Sequence, residues 1–301
     1  MYLTIIGLGK MGLNIAIRLK EHSIDVKGFD IDKISRNNAE KCGIETYNNF
    51  FDIFNQTEKE QIIWVMVPTD VPRDKVLKEL YENLNKGNII IDGTNSYYKT
   101  SIAYAKLMCE KGIDFLDAGV SGGIWGLERG YCLMVGGKEE IYKKCENIFK
   151  ALSCKNGFIY TGESGSGHFV KMVHNAIEYG MMQSIAEGLQ LLKEGHYKNL
   201  DIPVICNNWN NGSIISSFLM EMAANALNKE KDIDKISSFV ADTGEGKWAA
   251  LEMIEQKIPG LNLVQSLFTR FLSQKEDNFF LKVLALMRKE FGGHNIKHRG
   301  D

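Results

Sequence analysis

The sequence predicts an α/β domain of the doubly wound kind followed by an all-α domain, and three observations carry that prediction. Short β-branched apolar runs alternate with amphipathic stretches through the first half of the chain, the pattern of strand–helix–strand units built around a parallel sheet. A glycine-rich turn directly follows the first of those runs. Near Thr161-Gly162-Glu163-Ser164-Gly165-Ser166-Gly167 the alternation stops and long helical spacings take over. At about 150 residues per domain, a chain of 301 residues suits two. The boundary is expected between residues 162 and 163, with 1–162 doubly wound and 163–301 helical.

The strands are expected at Tyr2–Ile6, Val26–Asp30, Ile62–Val67, Asn88–Asp92, Phe115–Asp117, Tyr131–Val135 and Phe158–Tyr160. Their apolar runs are continuous rather than alternating, as strands covered on both faces require. Between them, Met11–Glu21 and Asp74–Leu84 show helical spacing. The second half reads as a long helix from His168 to about Glu194, then helices at Ile214–Leu227, Lys247–Gln256, Val264–Leu272 and Asn278–Phe291. Four prolines punctuate the whole chain, two of them at Pro68 and Pro72. Gly292 to Asp301 reads as a polar tail.

Composition removes several function classes. Thirty-six basic against 38 acidic residues give a net charge of −2, which argues against a nucleic-acid partner but leaves room for a local anion pocket. No apolar run approaches the roughly 18 residues of a membrane span, and the first residues lack the basic start of a signal peptide. A cytoplasmic protein is expected. The six cysteines, Cys42, Cys109, Cys132, Cys145, Cys154 and Cys206, include no Cys-x-x-Cys pair. They read as reduced, mostly buried thiols, and no metal site is expected.

Gly7-Leu8-Gly9-Lys10-Met11-Gly12 is a Gly-x-Gly-x-x-Gly placed between a strand and a helix, with Asp30 ending the next strand. That context is what a Rossmann-type dinucleotide turn needs. Gly7 permits the tight turn, Gly9 lets backbone approach a pyrophosphate, and Gly12 lets helix pack on strand. The helix N-terminus supplies N–H groups and a positive dipole end to the phosphates. A carboxylate at Asp30 suits the ribose hydroxyls of NAD and repels the 2′-phosphate of NADP, so NAD is the expected cofactor. Lys33 and Arg36 read as a solvated helix start.

Two further segments carry chemistry. Asp117-Ala118-Gly119-Val120-Ser121-Gly122-Gly123 opens a run with seven glycines in 19 residues, which exposes backbone N–H donors beside a serine hydroxyl. In Gly165–Tyr179, Lys171, Asn175 and Glu178 fall at i, i+4 and i+7, on one helix face. Such a trio is ordinarily a solvated stripe, but small and apolar residues surround this one.

With Gly7–Gly12, Val120–Gly123 and Gly167–Tyr179 together, the chain resembles the β-hydroxyacid dehydrogenase superfamily. Within it, Lys171-Met172-Val173-His174-Asn175 and Ile177-Glu178-Tyr179 resemble the decarboxylating 6-phosphogluconate dehydrogenases. Gly246-Lys247-Trp248 and Arg288…Phe291-Gly292-Gly293-His294 extend the resemblance over nearly the whole chain, in a short form of the family. The resemblance implies oxidation of 6-phosphogluconate to ribulose 5-phosphate and CO₂. It makes Lys171 the general base and Glu178 the proton donor to C1. Asn95, Ser121, Gly122, Gly123, His174 and Asn175 would hold the carboxylate and hydroxyls, and Tyr179, Arg270, Arg288 and His294 the phosphate. Val67 and Asn95 would join Gly7, Leu8, Gly9, Lys10, Met11, Gly12 and Asp30 at the cofactor.

It also implies a homodimer or homotetramer with shared active sites, in which Arg288 and His294 contact the substrate phosphate of a neighbouring subunit and the cationic tail (His294, Lys297, His298, Arg299) reaches there. One departure stands out: Thr243 and Glu245 replace a lysine and a threonine of the long form. A glutamate close to a phosphate is unfavourable unless it pairs with Lys247 or Arg270. Two other readings compete, a 3-hydroxyisobutyrate- or tartronate-semialdehyde-type dehydrogenase and a non-catalytic dinucleotide sensor. The first leaves Glu178 and the Arg288/His294 tail unexplained, and the second has no need of Lys171 with Asn175.

Overall fold

The computed structural model describes residues 2–55, 60–230, 232–274 and 279–297. The chain divides into two compact units, Met1–Lys171 and Met172–Asp301.

The first unit runs β1 (Tyr2–Ile6), α1 (Lys10–Glu21), β2 (Val26–Phe29), α2 (Lys33–Lys41), β3 (Glu45–Thr46), β4 (Gln61–Val65), α3 (Val71–Asn83), β5 (Ile89–Asp92), α4 (Tyr98–Glu110), β6 (Asp114–Ser121), α5 (Gly126–Arg129), β7 (Tyr131–Gly137), α6 (Glu139–Leu152) and β8 (Ser153–Gly162). The eight strands lie in the order β3-β2-β1-β4-β5-β6-β7-β8. Successive residues of β4 enter different cores: Ile62 and Trp64 join one cluster, Ile63 and Val65 the other. Both faces are therefore covered, which explains the unbroken apolar runs.

The expected parallel sheet holds at every pairing except one. β6 and β7 are antiparallel, with Ser121 opposite Cys132. Only residues 122–130 connect them, and a parallel crossover needs a dozen residues or more. β8 is longer than the expected Phe158–Tyr160: it begins at Ser153, and its register with β7 shifts between Tyr131 and Leu133. The two-residue β3 carried no apolar run to betray it.

Chain order reverses between β1 and β4, since β2 and β3 lie on one side of β1 and β4 on the other. The carboxyl ends of β1 and β4 are thus a topological switch point, where doubly wound sheets bind ligands.

α7 (Ser166–Glu194) begins in the first unit, and the division between units falls inside it, after Lys171. The second unit continues with α8 (Ile202–Trp209), α9 (Phe218–Lys229), α10 (Glu245–Glu255), α11 (Leu261–Ser273) and α12 (Phe279–Gly292). Met182, Ala186, Cys206, Met220, Ala223 and Leu284 form its core. α9 starts later than the expected Ile214 because Ser217 caps it through Met220 N, leaving Ile214 and Ile215 exposed. α8 was not expected; Asp201 caps it and Pro203 occupies its first turn, where a missing N–H costs nothing. Asn278, His298 and Arg299 lie outside the described residues. No helix among the described residues is long and apolar enough to cross a membrane. Four of the six cysteines, Cys42, Cys109, Cys132 and Cys154, are exposed, against the expectation of mostly buried thiols.

Candidate active site

The glycine turn sits at the switch point. Gly7 takes φ +97°, and a side chain there would collide with the Met66 carbonyl. A side chain at Gly12 would strike the Gly7 carbonyl, so α1 packs directly on the turn. Gly9 differs: nothing lies within 4 Å of where its Cβ would be. Gly9 is also the N-cap of α1, and no side chain caps that helix. Open space above a helix start with no protein cap fits a pyrophosphate.

Asp30 is braced there, Oδ2 accepting from Leu8 N at 2.7 Å and Oδ1 from Asp32 N at 2.8 Å. Leu8 therefore contributes its backbone, while its side chain is buried against Gly28. Met11 packs on the core and Lys10 is exposed. Val67 lies within 3.0 Å of the Cβ position of Gly7. Asp32 caps α2 through Ile34 N and Ser35 N, and those hydrogen bonds hold its carboxyl below the usual range. Arg36, expected to be solvated, donates to the carbonyls of Asp30 at 2.6 Å and Ile31 at 3.2 Å.

Asn95 lies in the loop after β5, which a buried polar network holds. Asp92 Oδ1 accepts from Thr94 Oγ1 at 2.5 Å, and Thr94 meets Ser96 at 2.6 Å. Asp92 Oδ2 takes Arg73 Nε at 2.8 Å and Nη2 at 2.6 Å. Arg73 continues to Ser101 Oγ at 3.4 Å, which meets His168 Nδ1 at 2.7 Å. Both ends of this chain flank expected site residues: Asn95 at one, Lys171 three residues beyond His168 at the other.

The first turn of α7 is capped from a distance. Asp117 Oδ1 accepts from Gly165 N at 2.6 Å and Oδ2 from His168 N at 2.9 Å. A side chain at Gly167 would strike the carbonyls of Asp117 and Met134, and one at Gly119 would strike Lys171 Cβ. Lys171 is 7% exposed. The solvated-stripe reading fails for it, and for the buried Asn175. Ser121 ends β6, and Gly122 and Gly123 follow it, both at positive φ. Arg73, Asp92, Ser101 and His168 were not singled out from sequence; their contacts span up to 67 residues and leave no local pattern.

In the second unit, Asn175 Nδ2 donates to Glu245 Oε1 at 3.1 Å, and the Tyr179 hydroxyl donates to Glu245 Oε2 at 3.3 Å. Glu245 meets those two groups rather than Lys247, which pairs with Asp242 at 2.7 Å. Arg270 stacks 3.1 Å above the Tyr179 ring centre. Its Nη1 donates to the Ala241 carbonyl at 3.3 Å, as does Arg288 Nη1 at 2.9 Å. Arg270 Nη2 is buried without a partner. Burial draws the Arg270 guanidinium down to about 10 and, with the Glu245 charge, pushes the Tyr179 hydroxyl up to about 12. Glu178 is part-buried, 3.9 Å from His174 Nδ1. The structure thus gathers Asn175, Tyr179, Arg270 and Arg288 in one place. His294 is exposed, edge-on to Phe291 at 6.3 Å.

A dinucleotide turn at a switch point, followed by a helical unit entered through a buried lysine, defines the β-hydroxyacid dehydrogenase class. Residues 2–162 match the NAD binding domain of 6-phosphogluconate dehydrogenase, and residues 167–294 match its C-terminal domain. The chain belongs to the 6-phosphogluconate dehydrogenase family. It is 39% identical over 294 residues to the protein YqeC of Bacillus subtilis, covering 98% of each chain. It is 35% identical over 303 residues to the NAD(+)-dependent, decarboxylating 6-phosphogluconate dehydrogenase of Haloferax volcanii, covering 100% of both. Among solved structures, the 6-phosphogluconate dehydrogenase of Plasmodium falciparum aligns with TM-score 0.81 and 30% identity, over 91% of this chain and 62% of that one.

Proposed function

We propose that this chain oxidises and decarboxylates 6-phosphogluconate to ribulose 5-phosphate and CO₂ with NAD as acceptor. The carrying observation is Lys171, buried and held by a helix start that Asp117 caps and Gly119 admits. Gly7, Gly9, Gly12, Asp30, Val67 and Asn95 would hold the nucleotide, with Leu8, Lys10 and Met11 completing the turn. When bound, it supplies the hydride acceptor.

Lys171 takes the C3 hydroxyl proton, a role that suits a lysine removed from water. The 3-keto acid then loses CO₂ because its carbonyl accepts the electron pair. Protonated Lys171 holds the developing enolate oxygen. Glu178 delivers the proton to C1. Asn95, Ser121, Gly122, Gly123, His174 and Asn175 hold the carboxylate and hydroxyls. Arg270, with an open donor, and Arg288 beside it favour the phosphate; Tyr179 lines the same place. Asp30, fixed at the end of β2, favours NAD over NADP.

The assembly we propose is a homodimer or homotetramer. Val170, Val173, Ile177 and Met181 leave an exposed apolar stripe on α7, and Leu261, Phe268 and Leu272 another on α11, surfaces of the kind that copies cover. Arg288 already stands beside Arg270 in its own chain, so the sharing of sites between subunits rests on His294. Six free cysteines fit a cytoplasmic setting.

Following absorbance of reduced cofactor with 6-phosphogluconate, and trapping ribulose 5-phosphate and CO₂, tests the reaction. Turnover of 3-hydroxyisobutyrate but not 6-phosphogluconate would reverse the assignment.

A further inference from the structure

Glu245 opens α10 from a Gly244-Glu245-Gly246 turn that needs both of its glycines. Gly244 takes φ +105°, and a Cβ at Gly246 would come within 2.8 Å of the Tyr179 ring. The turn thereby brings a carboxylate, 5% exposed, against α7. An ionised carboxylate can only accept hydrogen bonds. Asn175 must therefore turn its NH₂ group to Glu245, at 3.1 Å, and its Oδ1 accepts from His174 Nδ1 at 3.0 Å. Without such a partner a side-chain amide can sit either way round, since its oxygen and nitrogen ends are nearly alike in shape. Tyr179 is governed in the same way: its hydroxyl proton points at Glu245 Oε2.

We propose that Glu245 is a positioning residue, whose carboxylate fixes the orientation of the Asn175 amide and, through it, the tautomer of His174. The proposal rests on the functional reading in which Asn175 and His174 face the substrate. It turns the departure from the long-form sequence into a device: a negative charge set one residue away from substrate rather than against the phosphate. Two simpler roles compete. As an acid in the first turn of α10, Glu245 could serve the helix alone. As a charge near Arg270, it could only tune phosphate affinity. Each has its own kinetic signature.

The test uses the full chain with Glu245→Gln, Glu245→Asp, Asn175→Ala and the Glu245→Gln/Asn175→Ala double variant. Initial rates with 6-phosphogluconate and NAD are read beside the NAD dissociation constant and the melting temperature. Glu245→Gln offers Asn175 an amide that can bond it either way round. It should lose about 10- to 100-fold in kcat, the scale of a charge-assisted hydrogen bond, with NAD binding intact. Glu245→Asp should recover part of that loss. The double variant should be no slower than Asn175→Ala, because both changes remove one arrangement. Should Glu245→Gln not fold, Glu245→Asp with and without Asn175→Ala carries the same comparison.

Wild-type kcat with a lower KM for 6-phosphogluconate would leave only the charge role and overturn positioning. Wild-type kinetics with a lower melting temperature would leave only the helix role, and fully additive losses would also overturn the proposal. If Asn175→Ala is impaired while Glu245→Gln is not, the proposal alone falls. If Asn175→Ala is itself as active as the wild type, the functional reading of Asn175 falls first and takes the proposal with it.

Discussion

Arg73 in the first unit and Arg270 in the second are each 2% exposed, yet they are kept in opposite ways. Arg73 places Nε and Nη2 on Asp92 and Nη1 on Thr100 at 3.1 Å, with the Tyr104 ring 4.9 Å away. Arg270 reaches one backbone carbonyl, lies on the Tyr179 ring and leaves Nη2 without a partner. A buried cation with its donors filled is part of the frame. One with an open donor keeps a hydrogen-bonding group for an incoming anion, because a buried donor left without an acceptor costs free energy until one arrives. On the proposed reading, the difference separates a residue that builds the site from one that would meet substrate.

The largest effect expected is on chemistry. Lys171→Met should abolish oxidation while NAD binding, measured by calorimetry, changes little; a variant with residual turnover near wild type would remove Lys171 from the reaction. Glu178→Gln takes away the proposed proton donor after CO₂ loss, and general acid catalysis supplies about 10²- to 10⁴-fold. Retention of full turnover to ribulose 5-phosphate would refute that role.

The contrast between the arginines itself comes next. Arg73→Met leaves Asp92 charged and buried, which should cost about 3–5 kcal/mol of stability, read as a large fall in denaturation midpoint. Arg270→Met should lower the midpoint much less than Arg73→Met does, while KM for 6-phosphogluconate climbs. A melting loss for Arg270→Met as large as that for Arg73→Met would erase the distinction. The smallest effect is on cofactor choice. Asp30→Ala should narrow the preference for NAD over NADP by removing a repulsive carboxylate, and because Asp30 also holds Leu8 N, KM for NAD should rise as well. An unchanged NAD/NADP ratio of kcat/KM would place selectivity elsewhere.

What the sequence made legible follows from the range of the interactions. The first strand, the glycine turn and Asp30 sit within one strand–helix–strand unit, and the Lys171 face is set by helical spacing, so local pattern sufficed for both. The antiparallel β6–β7 pair was hidden because apolar runs look alike in either direction, and only the short link through residues 122–130 distinguishes them. Asp117 was noticed for its glycine-rich neighbours, but its capping of α7 joins residues 48 and 51 apart. Glu245 was expected to seek a cation, by charge alone. Geometry adds an amide and a hydroxyl to the nearby charge of Arg270, since Gly246 lets the Tyr179 ring close over the turn. Thiol burial failed as a composition argument: Cys132 and Cys154 lie in strands of the sheet yet are exposed.

The central claim is that Arg270 is held open for the substrate's phosphate while Arg73 is closed upon its own frame. Comparing 6-phosphogluconate with gluconate, which lacks the phosphate, isolates it. The ratio of their kcat/KM values should be large in the wild type, should collapse in Arg270→Met, and should persist in whatever fraction of Arg73→Met remains folded. An Arg270→Met enzyme that still prefers 6-phosphogluconate as strongly as the wild type would contradict the account.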